Sequence, residues 1–274
     1  MRLIVRHDTT YVYEEPARFV IQRLLLTPRH CASQHIMRWR VEVDHDCRLH
    51  DREDAFGNLA QSMSVDGPVA SITTSVEGEV ETFDTNGVIK DAVERLPPDL
   101  YLRETAMTTA DEPVRDFSAD IAAKFADRIE RLHALNSAIH KRMAFDVDAT
   151  SAGTNAADAF ARKRGVCQDF ANIFCAAARR FGAPARYVSG YFRRDDGHDA
   201  QVAGHAWAEA FVPFLGWVGF DPAHDVSPGE AYVRVAIGLD SLDAAPVRGS
   251  RIGGGAEKLK VNVRAEAAQS QSQS

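Results

Sequence analysis

The sequence predicts an α+β protein with a β-rich first part and a mixed second part. Three patterns predict it. Apolar and polar residues alternate through much of the first ninety positions, apolar spacing turns helical beyond residue 118, and alternation returns between residues 187 and 220.

In Met37-Arg38-Trp39-Arg40-Val41-Glu42-Val43-Asp44 the odd positions are apolar and the even ones charged. A period of two gives one buried and one wet face. Leu3, Val5, Tyr11 and Tyr13 share a face in the same way, and residues 19–26 and 71–83 are further strand candidates. Gly57-Asn58 marks a turn between strands. These elements make a small all-β domain over residues 1–95, with Leu96-Pro97-Pro98-Asp99 as the linker to a second domain over residues 96–266.

From Ser118 to Met143, Ile129, Leu132, Leu135 or Asn136, Ile139 and Met143 recur at helical spacing, and Pro113 ends the extended segment before them. Residues 155–163 form a shorter helix capped by Thr154 or Asn155. A third helix runs from Cys167 to Phe181. Phe170, Phe174, Ala177, Ala178 and Phe181 line one side, and Gly182 and Pro184 stop it. Strands follow at 187–192, 205–212 and 217–220, with a last one at 259–263 beyond Gly253-Gly254-Gly255. The polar residues 267–274 are expected to be a disordered tail.

The chain has 274 residues, 45% hydrophobic and 26% charged, enough to bury a sizeable core. A net charge of −7 disfavours a nucleic-acid partner, since phosphate binding shows as a basic surface. The start, Met1-Arg2-Leu3-Ile4-Val5-Arg6-His7-Asp8, does not read as a signal peptide, and no apolar run reaches membrane-span length. Cys31, Cys47, Cys167 and Cys175 are too few for a disulfide scaffold in a chain this long. The expectation is a cytoplasmic protein with no membrane partner.

Three motifs carry the chemistry: Gly165-Val166-Cys167-Gln168-Asp169-Phe170, then Gly204-His205-Ala206-Trp207, then Gly219-Phe220-Asp221-Pro222. A thiol nucleophile needs a base to take its proton, and the base needs a group to fix its tautomer. Cys167 opens a helix, where unpaired N–H groups and a partial positive charge stabilise a thiolate and can receive an oxyanion. A free cysteine is more often a buried core residue, and Cys175, in the middle of an Ala/Phe run, is read that way.

His205, Trp207, Glu209 and Phe211 share one strand face, and Ala206, Ala208, Ala210 and Val212 the other, small enough to lie close under a helix. Pro213-Phe214-Leu215-Gly216 suits an antiparallel hairpin. If Phe211 pairs with Trp217, Asp221 lies opposite Trp207 and becomes the same-face diagonal neighbour of His205. Diagonal Cβ atoms lie about 7–8 Å apart, within reach of a carboxylate and an imidazole. A slip of one residue would put the two on opposite faces.

These motifs resemble the catalytic core of the transglutaminase-like superfamily in its bacterial cysteine-peptidase branch. Arg6-His7-Asp8-Thr9-Thr10-Tyr11-Val12-Tyr13 and Leu26-Thr27-Pro28-Arg29 look like the β domain that precedes this core. The resemblance implies a papain-like arrangement, with a Cys-bearing helix packed on an antiparallel sheet bearing His and Asp. It implies Cys167 as nucleophile, His205 as acid/base and Asp221 as orienting carboxylate. Gly238-Leu239-Asp240 departs from the Gly-Arg-Asp of many relatives, which puts in doubt any contact that arginine makes. Gln168 and Trp207 are candidate oxyanion donors, neither assigned.

The implied function is thiol-dependent acyl transfer at amide bonds of a peptide or protein substrate through a thioester, with hydrolysis favoured over transamidation. A peptide-binding module with little catalysis is the alternative outside enzymes, and an intact Cys-His-Asp set argues against it. No cofactor and no metal are expected. His30, Cys31, His35, His45 and Cys47 fit no common zinc spacing, and residues 253–255 lack the lysine and context of a phosphate loop. His198 reads as part of a solvated charged loop, and His224 as a surface residue.

Overall fold

The computed structural model describes residues 1–194, 200–201 and 204–268. In chain order the elements are β1 (Arg2–Thr27), β2 (Gln34–Val43), β3 (His50–Glu53), β4 (Leu59–Thr82), β5 (Val88–Ile89), α1 (Glu112–Lys124), α2 (Arg128–Arg142), β6 (Ala144–Phe145), α3 (Ala156–Arg162), β7 (Arg164–Gly165), α4 (Cys167–Arg180), β8 (Ala185–Phe192), β9 (Ala200–Gln201), β10 (His205–Val212), β11 (Gly216–Phe220), β12 (Tyr232–Gly238), β13 (Val247–Gly253) and β14 (Glu257–Ala267).

The first sheet is organised by β1. One edge of it pairs with β4, and the other pairs with β14 along residues 3–13 and with β13 along residues 17–24. The pairing shifts register around Ala17, just after Pro16, which has no N–H to give to a ladder. β2 and β3 cover the far edge of β4, and β9 lies beyond β14. Residues 247–267, grouped by sequence with the second domain, thus lie in the first sheet. Their partners in β1 are more than two hundred positions away, beyond the reach of local pattern.

Met37 was expected on the buried face of its strand but is 52% exposed. Ile36 pairs with Val80 and Arg38 with Glu79, so Met37 is the extra residue of a β-bulge. Beyond it, Trp39, Val41 and Val43 alternate inward as expected. The expected linker is folded in part: residues 98–102 form a short 3-10 turn that buries Tyr101 against Trp217.

The single helical stretch expected over 118–143 is two helices. α1 begins earlier, at Glu112, with Pro113 inside its first turn and Asp111 as cap. Pro113 is tolerated there because first-turn N–H groups have no intrahelical partner. Asp127 starts α2 by accepting from the N–H groups of Ile129 and Glu130. Asn155 caps α3.

The second sheet is antiparallel, in the order β12-β8-β10-β11-β5. α4 lies on it through small residues: Ala206, Ala208 and Ala210 of β10 share a core with Ala171, Phe174, Cys175 and Ala178. Alanines on both sides allow close approach of helix and sheet. On the opposite face, Glu209 is fully buried between two arginines. It accepts from Nε of Arg186 at 2.6 Å and Nε of Arg234 at 2.7 Å, tying β10 to β8 and β12. Paired charges fill a space where a single charge would be costly. Leu3, Val5 and Val80 of the first sheet enter the same core as α4. His7 of β1 adds a polar link, with Nδ1 at 3.0 Å from the Tyr191 hydroxyl of β8 and Nε2 at 2.8 Å from Oγ1 of Thr9.

Candidate active site

Cys167 is the first residue of α4, with Val166 as its N-cap. Asp169 holds this corner. Its Oδ2 accepts from the N–H of Val166 at 2.8 Å and from the hydroxyl of Thr150 at 2.6 Å. Burial raises the Asp169 carboxyl above the usual range, opposed by those two hydrogen bonds. Gly165 has no side chain because Asp169 fills the space where one would sit.

The hairpin register is the one the sequence suggested. Phe211 pairs with Trp217 and Ala208 with Phe220, which puts Asp221 opposite Trp207 at the end of β11. His205 donates from Nε2 to Oδ2 of Asp221 at 2.7 Å. Across β10, His205 pairs with Gly190 of β8, where a Cβ would strike the Val233 carbonyl and the Trp207 ring. That glycine lets Trp207 lie flat beside the histidine.

Electrostatics favour a charged imidazole. Burial alone would lower the His205 pKa. The Asp221 charge and hydrogen bond, then a side-chain hydrogen bond and the charge of Cys167, outweigh it and raise the pKa to about 10. Burial would raise Asp221, but the charge and N–H of His205, followed by those of His224, hold it well below the usual carboxylate range. The Cys167 thiol, the His205 imidazole and the Asp221 carboxylate are therefore electrostatically coupled.

Two further residues reach the carboxylate, and sequence reasoning missed both. His224 donates from Nδ1 to Oδ2 of Asp221 at 2.8 Å, and the Tyr232 hydroxyl donates to the same oxygen at 2.8 Å. Oδ1 accepts from the N–H of Ala223 at 3.0 Å. His224, read as a surface residue, is exposed and still bonds to the carboxylate of the site. A signal existed: residues 221–224 form a turn, with the His224 N–H on the Asp221 carbonyl, and a turn brings positions i and i+3 together. Tyr232 carried no such signal, because only the β12–β8 pairing brings it near. Phe192 covers the group, 5.3 Å from the His205 ring, 4.7 Å from His224 and 4.6 Å from Tyr232. The ligand atoms of His205, Asp221 and His224 lie within 4.8 Å of one another. N–H donors gathered on one carboxylate account for that closeness.

The other candidates fall elsewhere. Cys175 is fully buried in the helix–sheet core, and burial pushes its thiol up to about 12. Gln168 donates to the Ala152 carbonyl at 3.3 Å, and Trp207 packs with Val188, Tyr232 and Ile237, so neither is assigned as an oxyanion donor. Leu239, at the departure from Gly-Arg-Asp, packs with Tyr101 and Trp217, while Asp240 accepts from the N–H groups of Leu242 and Asp243. The residues once considered for zinc make local contacts: His30 accepts from the Ile36 N–H, Cys31 meets Ser33, and His45 meets Asp44. His198 and residues 269–274 of the expected tail lie outside the described residues.

A cysteine at a helix start, beside an imidazole and carboxylate on an antiparallel sheet, is the arrangement of a papain-like thiol enzyme fold. The family described as Transglutaminase-like superfamily matches residues 115–222, and the Bacterial transglutaminase-like N-terminal region matches residues 3–81. Protein ML0607 of Mycobacterium leprae is 31% identical over 273 residues, covering 96% of this chain and 97% of that protein. The chain belongs to the transglutaminase-like superfamily. A crystal structure of a candidate cysteine protease from Cytophaga hutchinsonii shares the fold with a TM-score of 0.79 at 20% identity, covering 99% of this chain and 92% of that one. The protein-glutamine gamma-glutamyltransferase of Pseudomonas aeruginosa is 28% identical over 128 residues, 39% of this chain and 19% of that protein.

Proposed function

We propose that the protein is a thiol-dependent acyl-transfer enzyme acting on amide bonds of peptides or proteins, with Cys167 as nucleophile, His205 as acid/base and Asp221 as the carboxylate that orients it. The observation that carries this reading is the 2.7 Å bond from His205 Nε2 to Asp221, which leaves Nδ1 to serve the thiol on α4.

Thiolate attack on the carbonyl carbon places the negative charge on oxygen, beside the N–H groups of the α4 first turn. The imidazolium then protonates the departing nitrogen, the C–N bond breaks, and a thioester remains on Cys167. A pKa near 10 keeps His205 charged at neutral pH for this step. In the second half, neutral His205 takes a proton from water, and the thioester is hydrolysed. A primary amine in place of water gives transamidation.

Hydrolysis is the preferred reading because water is abundant unless a cleft excludes it. Transamidation is the second reading, favoured by the likeness of part of this chain to the Pseudomonas aeruginosa glutamyltransferase. Four free cysteines with no disulfide suit a reducing compartment such as the cytoplasm. The deciding experiment is brief iodoacetamide labelling followed by peptide mapping, then assay of peptide amides with and without added amine. Preferential labelling of Cys167 supports the reading. Labelling spread evenly over Cys31, Cys47 and Cys167 would sink it.

A further inference from the structure

We propose that His224 is a positioning residue for the reaction proposed above: its Nδ1–H fixes the Asp221 carboxylate so that the same oxygen faces His205.

Asp221 stands just past the end of β11, with no neighbouring strand partner of its own except the isolated bridge to Val226. A side chain there turns about its χ angles unless its oxygens are held. Oδ1 is held by the Ala223 N–H, from within its own turn. Oδ2 must therefore be fixed by donors from outside the backbone, and it receives three. An ionised carboxylate has no hydrogen, so all three partners donate. His205 and Tyr232 approach from the buried side. The His224 side chain is 37% exposed while Asp221 is 0% exposed, so His224 closes the solvent side of the carboxylate.

That position has a consequence for the pair beneath it. The His205–Asp221 attraction is strong because water is excluded. Removing His224 admits water to Oδ2, which competes for the oxygen and screens the charge. The ring adds cover of its own, lying 4.7 Å from Phe192 and edge-on to His205 at 5.1 Å. The donor and the ring can be separated. Asparagine carries an N–H at the Nδ1 position without the ring, and phenylalanine carries a ring without the N–H.

The groups facing His205 among the described residues are Cys167 from α4, Asp221 and His224 from the turn after β11, Tyr232 from β12, and the rings of Phe192 and Trp207. With the others unchanged, His224→Phe should lower kcat about tenfold with KM unmoved, and should bring the alkaline limb of kcat/KM down by about one pH unit. His224→Asn should stay within about threefold of the natural enzyme in kcat and keep the limb. The His205 Cε1–H signal, followed by proton NMR across pH, should shift in parallel and needs no turnover. A merely structural role would lower thermal stability in both variants without moving that titration.

Natural behaviour of His224→Phe would overturn the proposal. So would an asparagine variant as impaired as the phenylalanine one, since the N–H alone would then not sustain the pair. The inference rests on Cys167 as nucleophile, and the two fail differently. Loss of selective Cys167 alkylation in the natural protein removes the enzymatic reading, while the His205 titration still reports whether His224 holds the pair.

Discussion

Gly165 and Asp169 compete for one space: a Cβ on Gly165 would lie 2.4 Å from Oδ2 of Asp169, the oxygen that caps Val166 and binds Thr150. The glycine is therefore required by the helix start that presents Cys167. Gly165→Ala should push Asp169 off the Val166 N–H, costing about 1–2 kcal/mol from the lost cap and the clash. Thermal melting reads the stability loss, and iodoacetamide kinetics should show slower Cys167 labelling. An alanine variant with natural melting and labelling would show that Asp169 does not hold the backbone at Cys167.

The two cysteines of α4 should separate cleanly. Cys167→Ala should abolish turnover and leave melting nearly unchanged, because its side chain is half-buried at the helix end. Cys175→Ala should retain activity and lose about 1 kcal/mol, the cost of a small void in a packed core. Equal loss of activity in two folded variants would mean the nucleophile has been misassigned.

Asp221→Asn tests the carboxylate. Its charge and hydrogen bond, together with Cys167, outweigh burial at His205, so without the charge burial pulls the imidazole down from about 10. The rate should fall, by less than the ~10⁴ seen when the carboxylate of a serine triad is made an amide, because a thiol ionises more readily than a hydroxyl. The alkaline limb of the pH–rate profile should retreat toward neutrality. An unchanged rate and limb would leave a Cys-His dyad.

Acid should loosen the junction between the sheets. Burial lowers the His7 pKa from 6.5 to about 4, with Asp8 opposing weakly. Between those values the unfolded chain binds a proton at His7 that the folded protein refuses. Stability is therefore fully present above pH 6.5 and declines as pH falls toward 4, by up to ~3 kcal/mol. Urea unfolding at several pH values should show this slope, and His7→Gln should flatten it. An equally steep slope in the glutamine variant would assign the effect to carboxylates elsewhere.

The parts of this molecule legible in sequence were those set by local chemistry. The Phe211–Trp217 pairing followed from alternation on both sides of a short loop, and with it came the His205–Asp221 contact. The start of α4 followed from Gly165 and the apolar spacing after Cys167. The helix break before Arg128 had a readable signal, Asp127 with Glu130 three residues on, but helical periodicity on both sides hid it. The Met37 bulge had none, since its sequence alternates without fault. Tyr232 and the last two strands depend on partners far along the chain, and local pattern carries no information about such pairings.

β1 is bordered by β4 on one side and by β13 and β14 on the other, so early and late segments of the chain close on each other. During synthesis the first edge can be satisfied once β4 emerges, but the second waits for residues 247–267. Until then β1 carries a long row of open backbone groups, a template for pairing with a neighbouring nascent chain. Leu3 and Val5, which line the core under α4, sit on that waiting strand. The seat of α4 therefore includes a strand whose second edge is completed only by residues 247–267.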